Sequence, residues 1–174
     1  MTILKIARMG HPVLHRRADE VPDPTAPPIR KLVMDMIETM HDAEGRGLAA
    51  PQVHVPLRGV VFITPEASEH EGVTVLVNPT LELLSEERIE GWEGCLSVPG
   101  LQGVVPRSPK VRYTGTTTDG TFIDRTVDGL HAVVVQHEFD HLDGILYPQR
   151  MTDMKKLIFV SEARWFRSSE EEGA

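Results

Sequence analysis

The chain has 174 residues, 40% of them hydrophobic, and a formal net charge of −8. That length and apolar content suit one domain with a real core and exclude a disordered chain. The acidic balance, with no basic run, argues against stable nucleic-acid binding, and no apolar run approaches the roughly 20 residues that span a bilayer. The single cysteine, Cys95, excludes an intrachain disulfide and leaves that residue as core filler, nucleophile or metal ligand.

Residues 1–25 open with a short β-like stretch, then His11-Pro12 and a helical turn around Val13–Arg16. The start lacks the long apolar segment of a secretory signal, so a cytoplasmic protein is expected. Pro22, Pro24, Pro27 and Pro28 stiffen the connection that follows. From Ala26 to about Glu44, Ile29, Leu32, Val33, Met36, Ile37 and Met40 form one apolar helical face. Thr25 is the candidate N-cap and Gly45 the stop. The run Gly45-Arg46-Gly47-Leu48-Ala49-Ala50-Pro51-Gln52 is dense in small residues. It reads either as an ordinary glycine turn or as backbone that comes close to a ligand.

Strands are expected at Gly59–Thr64, Val73–Asn78, Leu81–Ser85, Val104–Pro106, Lys110–Thr116 and Thr121–Thr126, with Asp119-Gly120 turning a hairpin. Gly91–Gly100, glycine at both ends, reads as a loop entering a strand. The pattern turns helical again from Asp128 to Leu142, where Leu130, Val133, Val134, His137 and His141 share a side. A last helix is expected from about Asp153 to Arg167, with Thr152 as N-cap. The tail 168–174 is acidic and expected to fray. The fold class that follows is α+β. Mixed or antiparallel sheets pack around the helix bearing the two histidines, with one helix N-terminal and one C-terminal to them, all within one domain of residues 1–167.

The chemistry concentrates in Val135–Gly144, Val-Gln-His-Glu-Phe-Asp-His-Leu-Asp-Gly. His137 and His141 stand four apart, one above the other on a helix face, so both can grip one ion. Glu138 lies about 100° further round and would flank that ion as a general base. The alternative is a buried histidine pair satisfied by hydrogen bonds. A catalytic metal takes a third protein ligand, and Cys95, in its glycine-framed loop, is the one thiol available. The remaining histidines, at 11, 15, 41, 54, 70 and 131, read as surface or structural residues.

Three blocks in this order resemble the peptide deformylases: Gly45–Gln52, Glu93-Gly94-Cys95-Leu96-Ser97, and Gln136-His137-Glu138-Phe139-Asp140-His141. Val105-Pro106-Arg107 fits as well, and the likeness runs from Ile3 to about Trp165. The resemblance implies that Cys95, His137 and His141 bind one divalent ion, usually Fe(II), with Ni, Co or Zn able to replace it. It implies a nascent peptide starting with N-formylmethionine as substrate and hydrolysis of its formamide to formate and a free amine. Glu138 would take a proton from water and pass it to the leaving nitrogen. The Gln52 side-chain amide and the Leu96 N–H would hold the oxyanion. The peptide would run extended near the backbones of Gly47 and Gly94. Val133 and Val134 would either wall the methionine pocket or simply fill core. Arg46 stands where the family usually carries a hydrophobic residue. It would favour acidic or polar residues after methionine if it lines the groove mouth, or else point to solvent.

Two other functions compete. A zinc endopeptidase would normally draw its third ligand from a downstream His or Glu; no histidine follows His141, and the first glutamate is Glu162. A non-catalytic copy of the fold would not need every ligand and catalytic residue, yet all are present. Formylated starts fit a bacterial cytoplasm, or an organelle that translates like one, and transient ribosome contact is expected at the site where chains emerge.

Overall fold

The computed structural model describes residues 2–64 and 72–166. Helix α1 (Pro27–Asp42) is followed by strands β1 (Gly47–Ala49), β2 (Gly59–Ile63), β3 (Val73–Leu83), β4 (Ile89–Cys95), β5 (Val98–Arg107), β6 (Lys110–Thr116) and β7 (Phe122–Asp128). Helix α2 (Gly129–Leu142) and the short strand β8 (Ile158–Phe159) complete the fold. The strands form two antiparallel sheets, of order β1-β2-β3-β6-β7 and β4-β5-β8. This is the expected α+β arrangement around the histidine-bearing helix.

Side-chain alternation sorts the large sheet into two faces. Leu48 and Val61, paired across β1 and β2, pack with Val33, Met36 and Met40 of α1. Val60, Phe62, Leu76 and Tyr113 face the other way and enclose Val135, Phe139 and Leu142 of α2. The core side of α2 therefore differs from the expected one. Leu130 is 52% exposed, and His131, Ala132, Val135, Gln136, Phe139 and Leu142 are buried, together with Glu138, Asp140 and His141 of the site. A third cluster, Leu14, Val98, Val105, Leu146 and Tyr147, fills the space behind the small sheet.

Several local expectations need correction. Val73–Asn78 and Leu81–Ser85 are one strand with a register irregularity between Val77 and Thr80. Asn78 there takes φ 51°, and its side chain clasps the Val21 backbone with two bonds of 2.8 Å. Thr25 does not cap α1. Ala26 stands at the N-cap, and Thr25 bonds back to Asp23 instead. The N-terminal stretch is not a strand; it is held by isolated bonds such as Ala7 N–H to the Gln52 carbonyl at 2.7 Å. The Gly45–Gln52 run contains strand β1 and a 3-10 turn at Ala50–Val53. The expected loop at Gly91–Gly100 is the end of β4, a two-residue turn and the start of β5.

The continuous helix from Asp153 does not form. Asp153, not Thr152, caps a single 3-10 turn by accepting from the Lys155 N–H, and Ile158 then pairs with Gln102 at the edge of β5. Met154, Leu157 and Ile158 have helical spacing, but an open sheet edge offers the same backbone groups partners. A 3-10 turn at Val160–Glu162 then leads into helical turn at 163–166. The expected frayed tail lies outside the described residues. The Asp119-Gly120 hairpin is present, with Gly120 at φ 91°.

Gly144 ends α2 at φ 75°, and a methyl group on it would sit 2.8 Å from the Arg16 backbone nitrogen. Both strain and collision predict that Gly144→Ala destabilises the protein by about 2–3 kcal/mol. A lower urea midpoint at unchanged m-value is the expected reading.

Candidate active site

The functional side chains converge where α2 passes between the two sheets. Helix α2 supplies His137, Glu138 and His141, the end of β4 supplies Cys95, and the 3-10 turn after β1 supplies Gln52. One ligand atom from each of Cys95, His137 and His141 lies within 4.8 Å of the others. Cys95 Sγ is 3.3 Å from His141 Nε2. The pairing of β4 with β5 shifts register between Gly94 and Cys95, with the extra residues, 99–101, on β5.

The surroundings fix each group. His137 Nδ1 donates to Glu93 Oε2 at 2.7 Å, which leaves its Nε2 lone pair free for an ion. Arg107 clamps both Glu93 oxygens, at 2.7 and 3.0 Å, and reaches Asp140 at 2.6 Å. Arg150 clamps Asp140 from the other side, at 2.6 and 3.1 Å. Tyr147 stacks on the His137 ring, with centroids 6.3 Å apart. Gln52 Oε1 accepts from the Ala49 N–H at 2.8 Å, which aims its Nε2 at Ser97 Oγ (3.1 Å) and Cys95 Sγ (3.5 Å). The Leu96 N–H heads the turn between β4 and β5 and donates to nothing among the described residues.

The electrostatics show a cluster short of positive charge. Burial opposes a charged imidazole, yet Cys95 and Glu93 together hold His137 well above its ordinary value. Burial, with His137 and Arg107 nearby, pushes His141 well below. Burial lifts the Glu138 carboxyl to about 7. Burial would also raise Glu93, but hydrogen bonds from His137 and Arg107 outweigh it and hold it low. His141 Nδ1 and Glu138 Oε2 are buried without a hydrogen-bond partner among the described residues. A divalent cation fits this set. Ligand bonds of roughly 2.0 Å to nitrogen and 2.3 Å to sulfur at tetrahedral angles put the two donor atoms about 3.5 Å apart.

A cleft of about 540 Å³ opens onto these groups. Gly47 and Gly94 line it on strands β1 and β4, each of which is a free sheet edge. Val133, Val134 and Leu130 form part of its wall, and Val134 also packs against the main core. Arg46 lies on its rim, exposed and without an ion pair among the described residues. A methyl group on Gly47 would fall on the Glu138 carboxylate, so this glycine permits the approach of strand and helix.

A sequence model of polypeptide deformylase matches residues 3–157. The chain belongs to the polypeptide deformylase family. It is 48% identical over 159 residues to "Peptide deformylase 1" of Nitrosomonas europaea, covering 88% of this chain and 90% of that one. To the enzyme of the same name from Xanthomonas campestris it is 49% identical over 155 residues, or 86% and 90% of the two chains. Its fold is similar to the crystal structure of peptide deformylase from Thermotoga maritima, with a TM-score of 0.82 and 33% identity over 88% of this chain and all of that one. A deformylase from Acinetobacter baumannii, solved with Met-Ala-Ser bound, superposes at TM-score 0.79 with 34% identity, covering 86% and 100%.

Every sequence-selected residue of this deformylase, Arg46, Gly47, Gln52, Gly94, Cys95, Leu96, Val133, Val134, His137, Glu138 and His141, lies at or beside this one cleft. The sequence reasoning gave no role to Glu93, Ser97, Arg107, Asp140, Tyr147 or Arg150. Glu93 was within reach, because it sits two residues before Cys95 on a strand and so shares its face. His131 is structural, buried beside Phe62 with Nε2 3.3 Å from the Tyr113 hydroxyl.

Arg107→Met removes the one partner that the buried carboxylates of Glu93 and Asp140 share among the described residues. It is expected to cost about 3–5 kcal/mol of folding stability, read as a drop in urea midpoint, whatever the metal content of the sample.

Proposed function

We propose that Cys95, His137 and His141 hold one divalent ion, natively Fe(II), and that Glu138, Gln52 and the Leu96 N–H work around it. The reaction comes with the family: hydrolysis of the formyl group on the N-terminal formylmethionine of a new polypeptide, releasing formate and a free α-amine. The observation that carries the assignment is the convergence of the three donor atoms within 4.8 Å, beside the buried, unpartnered oxygen of Glu138. The donor set also serves Ni, Co and Zn, and the choice of iron rests on the family resemblance. When bound, the ion supplies Lewis acidity and lowers the pKa of water.

The chain's own residues do the rest. Glu138 accepts the proton of the attacking water and returns it to the departing nitrogen. Its buried carboxyl, lifted to about 7, is already a stronger base than a solvated one. The Gln52 Nε2–H and the Leu96 N–H donate to the oxygen that gains charge. Gln52 is preset for this by the Ala49 N–H on its other end, so little reorganisation is needed. Glu93 holds the His137 ring in one tautomer. The free edges of β1 and β4 offer main-chain hydrogen bonds to an extended peptide, which explains tolerance for varied sequences. Val133 and Val134 wall the methionine side chain. Formylated starts arise in the bacterial cytoplasm, and the curated relatives are bacterial. Transient contact at the ribosome exit follows from where the substrate appears, with no stable binding to nucleic acid. No described helix is long and apolar enough to cross a membrane.

Glu138→Gln should bind metal at parental stoichiometry and lose activity by roughly a hundredfold or more. Formate release paired with metal analysis checks it, and near-normal turnover would refute the role of Glu138. Gly47→Ala, which displaces the same carboxylate, should behave alike. Arg46 on the rim should favour an acidic residue after methionine. The kcat/KM ratio of formyl-Met-Asp to formyl-Met-Lys peptides should fall about threefold in Arg46→Ala, in the range of one exposed charge pair; an unchanged ratio removes the idea.

A further inference from the structure

A second cleft, of about 720 Å³, adjoins the first and has the opposite charge character to the chain as a whole. Its polar lining is Lys5, Arg8, His11 and His54, all exposed, and no carboxylate lines it, although the chain carries a net charge of −8. The Lys5 and Arg8 side chains form no ion pair and no hydrogen bond among the described residues.

The backbone that carries these cations is held in place. Leu4 N–H donates to Thr39 Oγ1 at 2.9 Å, Ala7 N–H to the Gln52 carbonyl at 2.7 Å, and Met9 N–H to the Ser97 carbonyl at 2.7 Å. Ala7 points inward and is buried, which leaves Lys5 and Arg8 facing out. His54 presents its ring from a left-handed backbone position, φ 65°, and meets the His11 ring edge-on at 4.6 Å.

The two clefts share a wall: Leu96 and Pro99 line both. The ridge between them is the turn that follows Cys95. An extended peptide advances roughly 3.4 Å per residue, so a few residues beyond the methionine carry it across that ridge.

We propose that the basic cleft is a second substrate site, which takes acidic side chains of the nascent peptide a few residues downstream of formylmethionine. The proposal rests on the deformylase reading of the first cleft. A peptide fits better than a polynucleotide. The cleft continues from the catalytic one, and its lining holds no Phe, Tyr or Trp to stack a base. The cations act by attraction at the exit of the groove, so they select among substrates without touching the formyl group.

The test compares formyl-Met-Ala-Ser-Ala-Asp-Asp-Asp with formyl-Met-Ala-Ser-Ala-Lys-Lys-Lys on the metal-loaded full chain, with formyl-Met-Ala-Ser as reference. At low salt the acidic peptide should show kcat/KM about fivefold above the basic one. The ratio should fall toward one in about 0.5 M salt, and at low salt in the double variant Lys5→Glu/Arg8→Glu. Each ratio is taken within one protein, so any loss of folded enzyme cancels. A parental ratio near one, or a ratio unchanged in the variant, overturns the proposal. So does inhibition by a short RNA that the variant escapes while the peptide ratio stays at one, which would assign the cleft to a polynucleotide. Failure of the parent to process even the short peptide would instead overturn the deformylase reading.

Discussion

The buried Arg107 guanidinium is the point on which the rest of the structure depends. It sits at the end of β5, grips Glu93 on β4 with two bonds and Asp140 on α2 with a third. Each ion removed from water costs several kcal/mol, and only close, multiple hydrogen bonds offset that. The small sheet and the helix are therefore locked at one spacing, since any drift would leave charges unpaired in the interior. That spacing carries Cys95, two residues beyond Glu93, to His141, about one helical turn from His137. The same carboxylate that satisfies Arg107 also orients the His137 ring. Stability and site geometry thus draw on one set of hydrogen bonds.

Legibility in the sequence followed periodicity. The histidine spacing, the faces of α1 and the strands β2 and β6 all emerge from repeats of 3.6 or 2, which the backbone imposes directly. Strands β1 and β4 were hidden for a physical reason. Gly47 must be small because Glu138 lies against it, and Gly91 and Gly94 weaken the strand signature around Cys95. The chemistry of the cleft requires the residues that mask its secondary structure. The false C-terminal helix arose the opposite way: Met154, Leu157 and Ile158 carry the right spacing, but the edge of β5 competes for their backbone. The fold class followed from the element pattern and the Cys95, His137 and His141 set from spacing backed by the three-block resemblance, whereas the ion pairs around Arg107 and the basic cleft depend on distant segments that no local pattern joins.

The catalytic cleft lies between two sheets, each presenting an open edge, β1 on one side and β4 on the other. An exposed edge is normally a hazard, because it invites pairing with any extended chain. Here both edges line the cleft, and β1 is only three residues long and packs against α2. Charge then divides the labour along the groove. The buried cluster around Cys95, His137 and His141 is short of positive charge, while Arg46, Lys5 and Arg8, which form no ion pair among the described residues, lie at the rim and beyond.

The sequence distances across the site also bear on how the protein acquires its activity. Gln52 reaches Ser97 over 45 residues, Cys95 meets His141 over 46, and Arg107 meets Asp140 over 33. Contacts of this separation are made late, after local helices and hairpins have formed, because long loops must close first. A chain emerging from the ribosome has α1 and β1 long before it has α2. The cleft therefore cannot assemble until α2 has been made, and its geometry arises in one late step rather than piece by piece.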